Sequence, residues 1–364
     1  MIWISDRGSS LGLSTIVVRS KGGLKILKIL VTGANGFIGS NLVRTLLGRN
    51  GNVRAFIKPG TPETSLDGFD IEKVYGDICD VASLERAITG CTEVYHLAAY
   101  NKLWARDPSI FSHINFEGTE NVLRVSLLKN VRRVVHTSTC DLIGMKQRRA
   151  ASEGTEEDFP EHEGELPGPY ALSKWRAERA TLAYAAHGLD CVIVNPTIPI
   201  GSYDTTPTEP GRLISDFLGG NLDFFVNRRM NFVDVKDCAT GHVLAMEKGR
   251  SGERYILGGR NMELAEFFAK LEQVAGVRGP RARLPYVLGY GGAWIMKIWS
   301  GLTGKEPRAS LEALRLIRHS FAFSSRKAEQ ELGYRPADIG DALRRAVEWH
   351  RRTTHRDGVL EWDK

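Results

Sequence analysis

The stretch "GPYALSKWRAE", residues 168–178, sets Tyr170 four positions before Lys174. In an α-helix, residues i and i+4 lie one turn apart on the same face, so a phenol and an ammonium would stand side by side. A free phenol has a pKa of about 10. An adjacent ammonium stabilises the phenolate and lowers that value toward neutrality, which suits a group that must exchange a proton with an alcohol or carbonyl oxygen. The same spacing also describes an ordinary surface pair. The rest of the chain has to supply something for the phenol to work beside.

A glycine turn supplies it. "VTGANGFIGSNL" spaces Gly33, Gly36 and Gly39 three apart, between a β-rich run and a run with helical periodicity. Glycine allows positive φ and lets the backbone approach a ligand closely. A helix beginning there offers free N–H groups and its positive dipole end to a pyrophosphate. In a strand–turn–helix context this reads as a dinucleotide site, with a purely structural turn as the alternative. The second strand ends "AFIKPG", without the acid that would take the adenosine ribose hydroxyls of NAD. Lys58 stands where a cation could meet a 2′-phosphate, and Arg54 is at the other end of the strand. The reading is NADP in preference to NAD.

These groups need elements to hold them. "LKILVT", "NVRAFIK", "EKVYGD", "EVYHLAA", "RRVVHTST" and "CVIVNP" are short apolar runs, with helical signals between them around 81–90, 109–130 and 171–187. Strands alternating with helices predict right-handed βαβ units and a mostly parallel sheet. After Pro196 the pattern loosens, with two more strand-like stretches, "MNFVDV" and "RYILGG". The expected architecture is α/β: a Rossmann-type doubly wound sheet over 24–195 plus about 231–258, and a smaller C-terminal substrate lobe over about 196–230 plus 259–364. Residues 1–23 read as a weakly ordered extension or the product of an upstream start codon. The apolar run within them is too short to span a membrane. The longer stretch 284–302, "LPYVLGYGGAWIMKIWSGL", reads first as a buried helix of the substrate lobe. A helix that touches a membrane is its alternative.

The 364 residues are 42% hydrophobic and 25% charged, as in globular proteins, with a net charge of +6. The basic clusters Arg132-Arg133, 146–149 and Arg228-Arg229 are not interleaved with stacking aromatics, which argues against nucleic acid. Five cysteines, an odd number with no C-x-x-C pair, suit a reducing, cytoplasmic setting and argue against a structural metal. Peripheral membrane contact and a homodimer remain open.

"TGANGFIG", "GDICD", "HLAA", "NFEGT", "VVHTSTC", "YALSK" and "NFVDVKD" occur in order, within a likeness that runs from about residue 28 to 348. Together they resemble the extended short-chain dehydrogenase/reductase superfamily, also described as NAD-dependent epimerases and dehydratases. "LWARDP", "NPTIPIG", "TPTEPGRLI", "GERYILGG" and "SSRKAEQELGYRP" are similar to its dihydroflavonol-4-reductase-like branch and, within that, to hopanoid-associated sugar epimerases. The resemblance implies that Tyr170 is the acid/base and Lys174 its partner, with Lys174 also holding the nicotinamide ribose. It puts Thr139, with Ser138 as neighbour, in the place of a serine hydroxyl, and Asn115 as a brace for the site. It implies Phe37 and Ile38 in the pyrophosphate loop and Asp77 and Ile78 beside adenine. Leu97, Ala98 and Ala99 would line the cleft, and Pro196 and Thr197 would approach the nicotinamide.

Substrate is less legible. Sugar-nucleotide epimerases of the superfamily carry an arginine where this chain has Met230, with Arg228 and Arg229 adjacent but out of register. The acidic loop 155–165 would repel a diphosphate if it bordered the site. Trp104, Phe111, Tyr203, Phe224 and Phe225 are candidates for an apolar pocket. The expectation is hydride transfer between NADP, or NAD, and a carbonyl or alcohol of a partly apolar small molecule, lipid- or sugar-linked in one variant. An epimerase that retains its NAD is the alternative, and a non-catalytic redox-sensing module is a third class, which the intact Tyr170–Lys174 pair disfavours. If Lys58 reads the 2′-phosphate, Lys58→Asp should weaken NADP binding relative to NAD by about tenfold or more, the worth of one charge-assisted contact. Titration of both cofactors against both proteins decides it, and an unchanged preference would mean that the phosphate is read elsewhere.

Overall fold

Seven of the apolar runs form one parallel sheet: β1 (Lys28–Thr32), β2 (Asn52–Ile57), β3 (Glu72–Tyr75), β4 (Glu93–His96), β5 (Arg133–Thr137), β6 (Cys191–Pro196) and β7 (Arg254–Leu257), in the order β7-β6-β5-β4-β1-β2-β3. The computed structural model of the protein describes residues 17–20, 23–143, 153–307, 310–318 and 321–356. The basic run 146–149 and most of residues 1–23 lie outside the described residues. Within the latter region, Val17–Ser20 pairs with Gly23–Ile26 as a separate antiparallel ribbon.

Apart from the edge strand β3, where Glu72 and Tyr75 are exposed, the strands are mostly apolar and buried because both faces are covered. Adjacent residues of one strand serve opposite layers. Val31 packs with Leu42, Val43 and Leu46 of helix α1 (Phe37–Leu47). Leu30 packs with Leu84 and Ile88 of α2 (Val81–Ile88) and Val122 and Leu123 of α3 (Gly118–Leu128). The strand order reverses on either side of β1, so a crevice opens at the carboxyl ends of β1 and β4, the place where doubly wound sheets bind ligands. The crossover expected over 109–130 is not one uniform helix: Ser112–Glu117 is a π-helical turn that leads into α3. The tyrosine helix is α4 (Pro169–Ala186), and α5 (Val235–Lys248) packs against α1.

The remaining elements form the C-terminal lobe. "RYILGG" supplies β7 to the main sheet. The "NFVDV" strand, Arg229–Asp234, instead lies between Ile198–Ile200 and Arg260–Glu263 in a three-stranded sheet. Behind it Phe232 stacks on Phe267 at 4.2 Å, and Phe217 on Phe268 at 5.8 Å. Helices α6 (Leu264–Ala275) and α8 (Gly340–Arg356) close this core, with α7 (Tyr286–Thr303) between them in sequence. The expectation that 284–302 forms a buried helix is corrected: within α7 only Ala293 and Ser300 are buried, and Val287, Ile295 and Leu302 are 70% exposed or more. Composition reveals an apolar stripe but not which way the stripe faces.

The lobe reaches back across the crevice. α4 begins at Gly168, which has no side chain to cap the free N–H groups of the first turn. Glu312, on the short helix Leu311–Leu316, takes that role: its Oε1 accepts a hydrogen bond from the Ala171 N–H at 3.1 Å. The carboxylate lies so close that a Cβ at position 168 would come within 2.2 Å of it. Arg315 holds the same loop, donating to the Pro167 carbonyl at 3.0 Å.

Burial pushes the Glu312 carboxyl up to about 7, against its contact with the Ala171 N–H. An exposed glutamate in the unfolded chain titrates at about 4.3. Between these values the folded state holds the proton more tightly than the unfolded state, so stability falls as pH rises through the window. Glu312→Gln keeps an acceptor for the amide and removes the ionisation. From pH 5 to 8 the wild type should therefore lose more stability than Glu312→Gln, by on the order of 3 kcal/mol. Thermal unfolding of both proteins across this range measures it, and parallel curves would disprove it.

Candidate active site

The glycine turn packs tightly at the end of β1. Gly33 has φ +65°, and a Cβ there would lie 2.8 Å from the Ala98 nitrogen. A Cβ on Gly39 would lie 2.1 Å from the Gly33 carbonyl oxygen, so the turn closes only with glycine at both positions. Gly36 caps α1 without a side chain, and Phe37, Ile38 and Gly39 make the first turn behind it. Their first-turn N–H groups lack intrahelical partners by geometry. The Leu97-Ala98-Ala99 segment is tied to the same corner, since the Leu97 and Ala98 N–H groups both donate to Thr32 Oγ1 at 3.2 Å. This corner has what a pyrophosphate needs: close backbone, no Cβ in the way and uncapped amides.

At the tip of β2, Lys58 pairs with Asp77 at 3.0 Å and is otherwise largely exposed. The lysine thus already has an anionic partner, one that the sequence expectation for a 2′-phosphate did not include. Ile78 is buried against Gly118, where a Cβ would approach within 2.6 Å.

Tyr170 is buried, and its ring stands edge-on to Phe111 at 6.3 Å. The phenol donates to Asn101 Oδ1 at 3.0 Å, and the Thr139 hydroxyl is its second neighbour. Thr139 also receives the Asp141 N–H at 3.2 Å. Ser138 is buried beside it, and its hydroxyl is left without a hydrogen-bond partner. Of the two hydroxyls at the end of β5, it is therefore Thr139 that meets the phenol. Asn115, on the π-helical turn, binds both chain groups of Tyr100 and donates to Ser173 Oγ at 3.0 Å. Ser173 in turn donates to the Tyr170 carbonyl at 2.7 Å. Asn115 thus fixes the loop that carries Asn101 against the helix that carries Tyr170.

The electrostatics differ from the simple expectation. Burial pushes the Tyr170 phenol well above its ordinary value. Asp141 adds to this, and the Thr139 hydrogen bond opposes it. Lys174 is tied to the backbone beside it. Its Nζ donates to the Thr137 carbonyl at 2.8 Å, and burial lowers its own pKa to about 8, against the pull of Glu178 and Asp141. Half-buried Asp141 is raised by desolvation to about 6. Glu178, fully buried, pairs with Arg254 at 2.6 Å and accepts from Asn195 at 3.2 Å. Pro196 ends β6, and the Thr197 hydroxyl is committed to Asn231 at 2.8 Å.

Most of the aromatic candidates do not converge on this site. Tyr203 lies against Trp349 at 5.0 Å with the Arg44 guanidinium over its ring. Phe225 packs on Phe268 in the lobe core, and Phe224 is exposed. Phe111 is the one in contact with Tyr170. The acids of 155–165 serve the local fold: Glu156 receives the Ile256 N–H at 2.9 Å and Glu163 pairs with Arg176 at 2.9 Å. Arg228 donates to the Ile317 carbonyl and Arg229 pairs with Glu153. Asn101, Asp141 and Glu312 carry no sequence signal of their own and emerge only from the geometry.

A family model described as the NAD dependent epimerase/dehydratase family matches residues 29–258. A protein of Synechocystis sp., provisionally named a dihydroflavonol 4-reductase, is 34% identical over 323 residues, covering 88% of this chain and 93% of its own. Sterol demethylase protein B of Methylococcus capsulatus is 34% identical over 326 residues, covering 88% and 98%. Among solved structures, DesIV of Streptomyces venezuelae, a dTDP-glucose 4,6-dehydratase crystallised with NAD, superposes with a TM-score of 0.72 at 26% identity, over 90% of this chain and 98% of that one. The glycine corner, the sheet order and the Tyr170 helix are thus found where a family-wide match already runs, and this chain belongs to the NAD dependent epimerase/dehydratase family, with the extended short-chain dehydrogenase/reductase fold.

Proposed function

We propose that the protein is an NAD(P)-dependent oxidoreductase acting at a carbonyl or secondary alcohol, with residues 24–195 plus about 231–258 holding the dinucleotide and about 196–230 plus 259–364 the substrate. The observation that carries this is the Tyr170 phenol, buried between Thr139 and Asn101 at the crevice where the glycine turn lies. Gly33, Gly36, Phe37, Ile38 and Gly39 would hold the pyrophosphate, and Asp77 and Ile78 the adenine end. Leu97, Ala98, Ala99, Pro196 and Thr197 would line the nicotinamide end. The nicotinamide, when bound, supplies hydride exchange with the substrate carbon.

The chain's own residues handle the oxygen. Asn101 now accepts the phenolic hydrogen, and a substrate oxygen in its place would receive that hydrogen instead. The raised pKa keeps Tyr170 protonated near neutrality, the state that donates to a carbonyl oxygen. Thr139 offers a second hydrogen bond to the same oxygen, and its methyl narrows the site. Lys174 supplies a buried positive charge one turn along the helix. Asn115 positions both the Asn101 loop and the Tyr170 helix. Preference for NADP rests on Lys58, which would have to share its ammonium between Asp77 and a 2′-phosphate.

Met230 in place of a phosphate-binding arginine, and the commitment of Arg228 and Arg229 to other partners, support an uncharged, partly apolar substrate. So do the motifs that resemble the dihydroflavonol-reductase-like branch. A second reading, an epimerase that retains NAD and works on a nucleotide sugar, draws more support from the comparisons. The matching family model is described by epimerases and dehydratases, and DesIV was solved with NAD. The motifs similar to hopanoid-associated sugar epimerases fit this reading too. The dinucleotide that co-purifies separates the two: retained NAD favours the epimerase, exchangeable NADP the reductase.

Tyr170→Phe keeps the ring and its packing and removes only the hydroxyl. Single-turnover hydride transfer, followed by nicotinamide absorbance, should fall by about 10²–10⁴, the usual worth of a positioned acid/base. Lys174→Ala should slow transfer and also weaken dinucleotide binding. Lys174→Arg should not restore either fully, because a planar guanidinium does not replace a compact ammonium. Wild-type rates in Tyr170→Phe would refute the mechanism.

A further inference from the structure

Helix α7 presents its apolar side to solvent. Val287, Leu288, Trp294, Ile295, Ile298, Trp299 and Leu302 are between 43% and 83% exposed. Their spacing, 287, 288, 294, 295, 298, 299 and 302, follows the 3.6-residue period, so they form one stripe along the helix. The opposite side meets the body of the protein through small residues. Ala293 and Ser300 are its buried positions, and a Cβ on Gly289 would stand 3.0 Å from a Val226 methyl. An amphipathic helix ordinarily turns its apolar stripe inward, whereas here the small residues are turned inward and the large ones outward. Contiguous exposed apolar surface of this kind marks a binding face.

The charge around the helix indicates what binds. From residue 276 to 318 the sequence holds eight basic residues, at 278, 281, 283, 297, 305, 308, 315 and 318, and two acidic ones, Glu306 and Glu312. That local excess equals the +6 of the whole chain. Glu312 is buried on α4, and Glu306 is paired with Arg212 and Lys102. Arg281, Arg283, Lys297, Lys305, Arg315 and Arg318 are exposed. Lys297 lies 5.1 Å over the Trp294 ring, an aromatic–cation pair suited to a polar–apolar boundary. At one end of the helix, Arg315 and Arg318 with Tyr286, Tyr290 and Glu165 line a cavity of about 520 Å³.

We propose that α7 is a membrane-docking helix that lies in the surface of an anionic lipid bilayer, its apolar stripe among the acyl chains and its basic flanks on the headgroups. Among the described residues no helix is long and apolar enough to cross a membrane, and a one-sided stripe with a charged border is the form that lies in the interface instead. A second copy of the chain is the poorer occupant. Pairing two α7 faces would bring together two borders that each carry an excess of basic residues, whereas an anionic surface attracts both.

The test is vesicle flotation of the full chain, with phosphatidylcholine vesicles and with vesicles that also contain phosphatidylglycerol. The comparison protein carries Ile295→Glu and Ile298→Glu, both at exposed positions and neither among the residues placed at the site. Thermal midpoint and dinucleotide affinity, measured in parallel, verify that it is folded. The wild type should float with the phosphatidylglycerol vesicles, less so at high salt, and the folded variant should bind them at least about tenfold more weakly. Absence of wild-type flotation, equal binding to neutral vesicles, or equal binding by the folded variant would overturn the proposal. So would concentration-dependent dimerisation that the two substitutions abolish, in a protein that ignores vesicles.

Discussion

The site depends on desolvation at the carboxyl end of β5. Tyr170, Lys174, Asp141 and Glu178 share a volume from which water is largely excluded, and Glu312 lies at its edge. In such a place an ionised group must have a partner or give up its charge. Each has been given a polar neighbour: Asn101 and Thr139 for the phenol, the Thr137 carbonyl for the ammonium, the Thr139 side chain for Asp141, Arg254 for Glu178, and the Ala171 amide for Glu312. The local architecture follows from these obligations. The π-helical turn brings Asn115 to the Asn101 loop, and β7 brings Arg254 beneath α4.

Much of this was legible in the sequence, for reasons that can be named. The strands of the main sheet are runs of apolar residues bounded by turns, and burial on both faces requires such runs. The glycine turn was legible because its contacts permit no side chain at Gly33 or Gly39. Tyr170 and Lys174 were legible because a helix turn brings i and i+4 together. These are local rules. Glu312 lies 141 residues from the amide it accepts, and no local rule joins them. The same holds for Asn101, whose role depends on Asn115 anchoring its loop. Lys174 was expected to act on the phenol and the nicotinamide ribose, but a buried ammonium also seeks the nearest carbonyl, and that competition depends on the packed structure.

The substrate side was less legible because its residues face several ways. Tyr203, Phe224 and Phe225 share a composition but not a surface. One stacks beneath Arg44, one is exposed, and one fills the lobe core. Arg228 and Arg229 are adjacent in sequence but donate in different directions. Where the chain forms irregular connections, side-chain type no longer implies direction. The orientation of α7 belongs to the same class of fact.

The cap that Glu312 places on α4 has a consequence for how the molecule is made. A chain emerging from a ribosome presents its amino-terminal strands first, and domains generally fold as units in that order. β1 through β6 and the whole of α4 are available to pair long before residue 312 appears. Until then the first turn of the tyrosine helix lacks the acceptor that later closes it. The dinucleotide corner can therefore be in place in a nascent chain whose tyrosine helix still lacks the cap on its first turn.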